Sequence, residues 1–159
     1  MPCDIFMKLE GVDGESKDST KAGETDIHSF QWGVHNSADM SLGGGGGQGK
    51  ASFSEISFSK NFCKASPVLA QKCAQGTHIP SAIFTFRKSG DKPVEYKIIT
   101  LTDVMVTSVN HSAGSGGEIS EQVSFGYAKI ETKYKEQLAD GSPGGKSEFT
   151  YDIKQNKGV

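Results

Sequence analysis

Charge of one sign is what this chain lacks most. Its 17 lysines and arginines and 19 aspartates and glutamates leave a formal net charge of −2, and the two signs are interspersed rather than blocked. Nucleic acid therefore meets no basic field, and a membrane-surface role gains no support. Long apolar runs are missing as well; no stretch approaches the roughly 20 residues that a membrane-crossing helix needs. Cysteine is scarce. Cys3, Cys63 and Cys73 cannot all pair within one chain, and none belongs to a Cys-x-x-Cys unit, which argues against a disulfide framework or a structural zinc site. They read as small buried or half-buried thiols in a reducing compartment. Proline, at 5 residues, is too sparse for a proline-rich linker. Apolar residues make up only 35% of the chain, which fits a hollow, much-wetted architecture or long glycine loops. The segment from Met1 to Lys8 has no cationic stretch followed by an apolar one, so no signal peptide is expected and the chain should mature in the cytoplasm.

What is present in excess is glycine, 20 residues in a chain of 159, the length of one domain. Period-two alternation dominates between the glycines. Cys3, Ile5, Met7 and Leu9 alternate with polar neighbours. So do His28, Phe30, Trp32 and Val34, then Ser52, Ser54, Ile56 and Phe58, then Val123, Phe125 and Tyr127, and finally Phe149, Tyr151 and Ile153. Ile79 to Phe86 is denser and reads as a strand buried on both faces, and Val94 to Val109 is a long β-branched run interrupted near Thr102-Asp103. Seven or eight strands are expected, the number of a sandwich of two sheets or a closed or nearly closed small barrel. One helix is predicted over about 66–75, with Ser66 as N-cap, Pro67 in the first turn and Gly76 as C-cap. Its stripe of Val68, Leu69, Lys72, Cys73 and Gln75 should pack over a sheet edge or barrel mouth. The loops Gly11–Gly23, Asn36–Gly49, Gly114–Gly117 and Asp140–Gly145 are glycine-rich, and a loop longer than about 12 residues inside a compact domain, as the first two are, is usually functional or disordered.

Several motifs fail on their own chemistry. Gly44, then four residues, then Gly49-Lys50 matches most of a phosphate-binding loop. The next residue should be Ser or Thr to hold magnesium, and it is Ala51; the segment after it alternates like a strand, whereas the motif needs a helix whose amides face the phosphates. Cys73 and His78 are neighbours without an orienting acid in the local sequence. His28, His35, His78 and His111 show no zinc-ligand spacing, so no metal and no cofactor is expected. No pair of carboxylates is favoured for glycoside chemistry. Asn110-His111-Ser112 fits a glycosylation sequon, which means nothing without secretion through an oxidising compartment. No catalytic residue is assigned.

The strand around Trp32 is more informative. Phe30, Trp32 and Val34 share one face; Ser29, Gln31 and Gly33 share the other. With Phe84 and Phe86, Phe30 and Trp32 are expected in the core. The opposite face borders water, as outer surface or as a lumen wall.

Taken together, these pieces resemble Hcp, the haemolysin-coregulated protein family of type VI secretion systems. The likeness runs through Asp4-Ile5-Phe6-Met7-Lys8, Gly11-Val12-Asp13-Gly14-Glu15-Ser16, Ser29-Phe30-Gln31-Trp32-Gly33-Val34 and the glycine loop ending at Gly49-Lys50. It continues through Phe58-Ser59-Lys60, Lys64-Ala65-Ser66-Pro67, Gly76-Thr77-His78-Ile79, Arg87-Lys88-Ser89-Gly90, Leu101-Thr102-Asp103-Val104, Gly114-Ser115-Gly116-Gly117-Glu118 and Ala139-Asp140-Gly141-Ser142. The order and number of the pieces carry the match. The resemblance implies a barrel-like β fold with one flanking helix, in a single tube domain over 1–159 without a toxin extension. It implies homohexameric rings stacked into the inner tube of a contractile machine, and secretion on firing without a signal peptide. It further implies contacts with spike and sheath proteins and carriage of effectors in the lumen, with neither nucleic-acid binding nor membrane insertion. Under it, Ser29, Gln31 and Gly33 are expected to face lumen and effector, Gln31 standing where a smaller serine would be anticipated. The loop with Met40, Leu42, Gly43, Gly44, Gly45, Gly46, Gly47 and Gln48 is expected to contact neighbouring subunits or rings. Two other classes compete: a monomeric β-sandwich module binding a ligand such as carbohydrate, and a hydrolase using carboxylates on barrel loops.

Overall fold

The computed structural model describes residues 3–36, 51–90, 93–138 and 143–158. The chain runs β1 (Cys3–Leu9), β2 (Thr25–Ile27), β3 (Ser29–Gln31), β4 (Val34–Asn36), β5 (Ala51–Phe53), β6 (Ile56–Asn61), α1 (Ala65–Gln75), β7 (His78–Lys88), β8 (Val94–Ser112), β9 (Ser120–Gln137), β10 (Pro143–Asp152) and β11 (Lys157–Gly158). It is mainly β with one short helix, as the alternation predicts. Nine strands form one antiparallel sheet in the order β11-β10-β9-β8-β7-β1-β2, with β6 added to β9 and β3 to β6; β4 and β5 form a separate hairpin.

The length of β9 explains this branching. One edge pairs with β8 over most of the strand, from Lys97↔Tyr134 to Ser112↔Ser120. The other edge serves two partners: Ser120–Phe125 pair with β6, and Lys129–Lys135 pair with β10. The sheet curls but makes no closed barrel among the described strands. The segment 25–31 spans the gap by changing partner: Thr25–Ile27 pair with β1, and after a corner at His28, whose N–H donates to Ser59 O at 2.8 Å, Ser29–Gln31 pair with β6.

The core lies inside the curl. Phe58, Phe84 and Phe125 are fully buried and meet edge to face or tilted, with ring centroids 5.0–6.2 Å apart. That arrangement suits the aromatic quadrupoles. Along β8 the inward residues are Ile99 and Leu101, then Val104 and Val106. A strict period of two would put Leu101 and Val104 on opposite faces. Asp103, with φ 55°, resets the phase, which explains why the pattern falters at Thr102-Asp103 although the strand continues. The irregularity between Val106 and Ser108 resets it again and leaves Val109 opposite Val123.

The outer face of β1 and β7 is covered by the loop after β1. Arg87 reaches across it to Asp18 at 2.6 and 3.1 Å, to Thr20 at 3.3 Å and to Asp4 at 3.5 Å, and stacks 4.8 Å over Phe6. Phe6 and Thr85 are thereby buried, so this strand is covered on both faces, as its dense apolar pattern suggested. Gly14 sits where this loop turns against its own return segment; a Cβ there would collide with the Thr25 side chain and the Glu24 carbonyl.

Four local expectations are corrected. The helix begins at Ala65, with Lys64 in the cap position and no side-chain cap. Ser66 is buried inside the first turn, where its Oγ accepts from Cys63 N–H at 3.0 Å and Lys60 Nζ at 2.8 Å. Lys60, six residues back on β6, takes the oxygen that would have capped. The buried stripe is Ala65, Ser66 and Leu69, and Val68 is exposed. The helix ends as predicted, at Gly76 with φ 64°. The alternating runs 28–34 and 52–58 are each broken, at 32–33 and 54–55, because the β4–β5 hairpin leaves the sheet there. Cys3, expected to be at least half buried, is exposed, and its Sγ lies 2.9 Å from the Tyr96 hydroxyl.

Candidate assembly face and the residues behind it

Residues paired across an antiparallel ladder share a face. On β3, β6, β9 and β8 the outward positions are therefore Ser29 and Gln31; Ser57, Ser59 and Asn61; Ser120, Gln122 and Ser124; and Ser108, Asn110 and Ser112. None of the eleven carries a charge. Ser29 and Ser59 bond through their hydroxyls at 2.5 Å, and Ser57 and Ser124 at 3.1 Å. Charge enters at the rims, where Glu118 accepts from Asn61 Nδ2 at 2.6 Å and Glu55 accepts from Thr107 Oγ1 at 3.0 Å. In a chain with 23% charged residues, a four-stranded face without any is unusual. It is built from donor–acceptor groups that neither attract nor repel an ion at long range.

The inward side of the same strands holds a charge pair. Lys60 Nζ lies 2.9 Å from Glu121 Oε1, both side chains fully buried, and His111 Nε2 lies 2.6 Å from Glu121 Oε2. Lys60 also donates to Ser66 Oγ at 2.8 Å and to the Asn61 carbonyl at 3.3 Å. The Lys60 contact to Glu121 is an ion pair, and neither Glu121 oxygen accepts an aligned hydrogen bond from the described residues. Such a pair stabilises little for its desolvation cost, but losing one partner leaves the other charge stranded.

Of the expected lumen residues, Ser29 and Gln31 are exposed on the neutral face, whereas Gly33 stands at the root of the hairpin. Of the expected core residues, Phe84 and Phe86 are buried; Phe30 and Trp32 are half-buried and pack against the core, Phe30 with ring centroids 5.1 Å from both Phe84 and Phe86. Met40, Leu42, Gly43–Gly47 and Gln48 lie outside the described residues. So does most of the phosphate-loop look-alike, and Ala51–Phe53 after it form β5 rather than a helix.

Trp32 leads to a contact that local sequence gave no means of finding. Its Nε1–H donates to the Tyr127 hydroxyl at 2.6 Å, and that hydroxyl donates to Ser54 O at 2.8 Å. Burial pushes the Tyr127 phenol up, so it stays protonated and able to donate. His78 meets an acid after all: Nδ1 lies 2.7 Å from Asp103, which also accepts from Lys154 Nζ at 3.0 Å. These groups are largely exposed and tie the start of β7 to the turn after β10. Among the described residues no group of three or more potential ligands could hold a metal ion, and no helix is long and apolar enough to cross a membrane.

Comparison with known proteins identifies the relatives. The family model described as "Type VI secretion system effector, Hcp" matches residues 6–134. The protein hcp1 of Pseudomonas aeruginosa is 43% identical over 160 residues, covering 98% of each chain. A solved structure of a type six secretion system protein superposes with a TM-score of 0.94 at 29% identity, covering 99% of this chain and all of the other. Hcp1 from Salmonella typhimurium gives a TM-score of 0.82 at 34% identity over the whole of both chains. The match runs through the neutral face, the buried pair and the helix alike, and the chain belongs to the Hcp family of type VI secretion proteins, structural components rather than enzymes.

Proposed function

We propose that this chain is the tube-forming subunit of a type VI secretion machine, a single tube domain that closes into homohexameric rings and stacks ring on ring. The uncharged face of β3, β6, β8 and β9 lines the lumen, with Ser29 and Gln31 on its wall. The observation that carries this reading is the absence of charge from that face. In a cyclic assembly every side chain is repeated once per subunit. A single lysine on the wall would become a charged ring of the kind that makes a pore select by sign. A wall of Ser, Gln and Asn lets cargo of either sign pass and still offers hydrogen bonds. The heterologous contacts that close a ring would also cover edges that no described strand pairs, such as that of β11. On this reading the subunit assembles in the cytoplasm and leaves the cell when the machine fires. Effectors ride in the lumen, and spike and sheath proteins contact the ends and outer wall.

Light scattering on a size-exclusion peak, with negative-stain images of the same fraction, tests the reading. A mass near six subunits with open rings is expected. A monomer at high concentration would overturn it and direct attention to ligand binding by a β-sandwich module.

A further inference from the structure

We propose that Tyr127 is a positioning residue that sets the direction of the β4–β5 hairpin toward a neighbouring copy of the chain. The partner in this proposal rests on the ring reading above; the clasp itself does not.

Among the described residues the hairpin pairs only with itself, Val34↔Phe53, His35↔Ser52 and Asn36↔Ala51, and Val34 is exposed. Its two roots, 32–33 and 54–55, are tied to each other. Ser54 N–H donates to Gly33 O at 2.9 Å, while Ser54 Oγ accepts from Gly33 N–H and donates to Gly33 O, each at 2.9 Å. Both roots are then tied to the body at one atom. The Tyr127 hydroxyl accepts from Trp32 on the first root and donates to the Ser54 carbonyl on the second. Tyr127 itself sits in the middle of β9, paired with Val104 of β8, where the other edge of the strand passes from β6 to β10. A phenol can accept and donate at a single oxygen; phenylalanine keeps the ring and does neither.

Contact area is supplied elsewhere. Phe53 packs on Tyr151 at 4.6 Å and on Phe149 at 6.4 Å, and Trp32 lies 6.5 Å from Phe149. Such contacts are weakly directional beside a hydrogen bond, so they hold the hairpin down without fixing its heading. Heading matters because the hairpin is a lever: a tilt of roughly 20° moves the end of a roughly 10 Å strand pair by about 3 Å, the length of a hydrogen bond. A contact between copies that depends on register would not survive that displacement.

The test places spin labels at Ser52→Cys on β5 and Thr102→Cys on β8, both exposed positions, with Cys3, Cys63 and Cys73 replaced by serine. Labelled chain is diluted into unlabelled chain so that only distances within one subunit are read. Tyr127→Phe, Trp32→Phe and their double variant are compared with the labelled parent for width of the distance distribution, thermal midpoint and yield of stacked rings. The parent should give a narrow distribution. Tyr127→Phe should broaden it and lower the yield of stacked rings several-fold, with the midpoint within a few degrees; the double variant should be no worse than the worse single, because both remove one linkage. An unchanged distribution in Tyr127→Phe overturns the clasp, since the aromatic contacts alone then hold the hairpin. A broadened distribution with undiminished stacking overturns its role toward a neighbour. A parent that stays monomeric overturns the ring reading and the partner with it, whereas the distribution decides the clasp independently.

Discussion

The two faces of β6 differ as much as neighbouring residues can. Ile56, Phe58 and Lys60 point inward and are fully buried, while Ser57, Ser59 and Asn61 point outward. The interior accepts the Lys60 ammonium because the Glu121 carboxylate meets it there, yet the wetted face, where charge costs least, carries none. Solvation alone would have arranged the reverse. The inner face answers to folding. On the proposed assembly, the outer face answers to neighbouring subunits and cargo.

The largest effects belong to the inner face. Phe58→Ala should cost about 3–5 kcal/mol, as for other buried aromatics, read by denaturant unfolding; Ser59→Ala across the pleat should stay within about 0.5 kcal/mol. Similar losses on the two faces would break the comparison. Lys60→Met should also cost about 3–5 kcal/mol by stranding Glu121, and adding Glu121→Leu should restore most of it. If the double variant is as unstable as the single, the pair contributes more than mutual neutralisation.

The outer face should respond in assembly and not in stability. Ser57→Lys should leave the unfolding free energy within about 0.5 kcal/mol of the parent; if this face lines the lumen of the proposed rings, the ring fraction should become salt-dependent, since the added ammonium groups would face one another there at low ionic strength. Sedimentation across a salt series reads this. Salt-independent rings in that variant would remove Ser57 from the lumen wall.

The smallest effect lies in the loop that Arg87 holds. The Arg87 hydrogen bonds keep the Asp18 carboxyl well below the usual carboxylate range, helped by the Thr20 N–H and hydroxyl. A depressed folded-state pKa contributes stability that is present above the unfolded value, near 3.8, and fades as pH falls through the folded one. The parent should therefore lose stability below about pH 4 faster than Asp18→Asn, in thermal melts from pH 6 to pH 2. Parallel curves would show that Arg87 holds the loop without Asp18.

Much of this was legible in sequence because a strand writes its two faces into alternate residues. Ser29, Gln31, Ser57, Ser59, Gln122 and Ser124 each sit in an alternating run, so their outward direction follows from the pattern. The helix C-terminus at Gly76 was legible for a similarly local reason, since only a residue tolerant of positive φ ends a helix that way.

Other features were not local. Ser66 has the chemistry of an N-cap, but Lys60, six residues back and on another element, takes its oxygen. The alternation through Trp32 and Ser54 continues past the points where the chain leaves the sheet, because the residues that divert it, Tyr127 above all, lie some 70 to 95 positions away. By itself the sequence determined which side of the regularly alternating strands meets water, since period-two patterning depends only on neighbours along the chain. Only the tertiary structure decided that four such sides join into one uncharged surface, that Lys60 finds Glu121 beneath it, and that one phenol holds both roots of the hairpin. Strand order and register bring those groups together, and pairing between distant segments sets both.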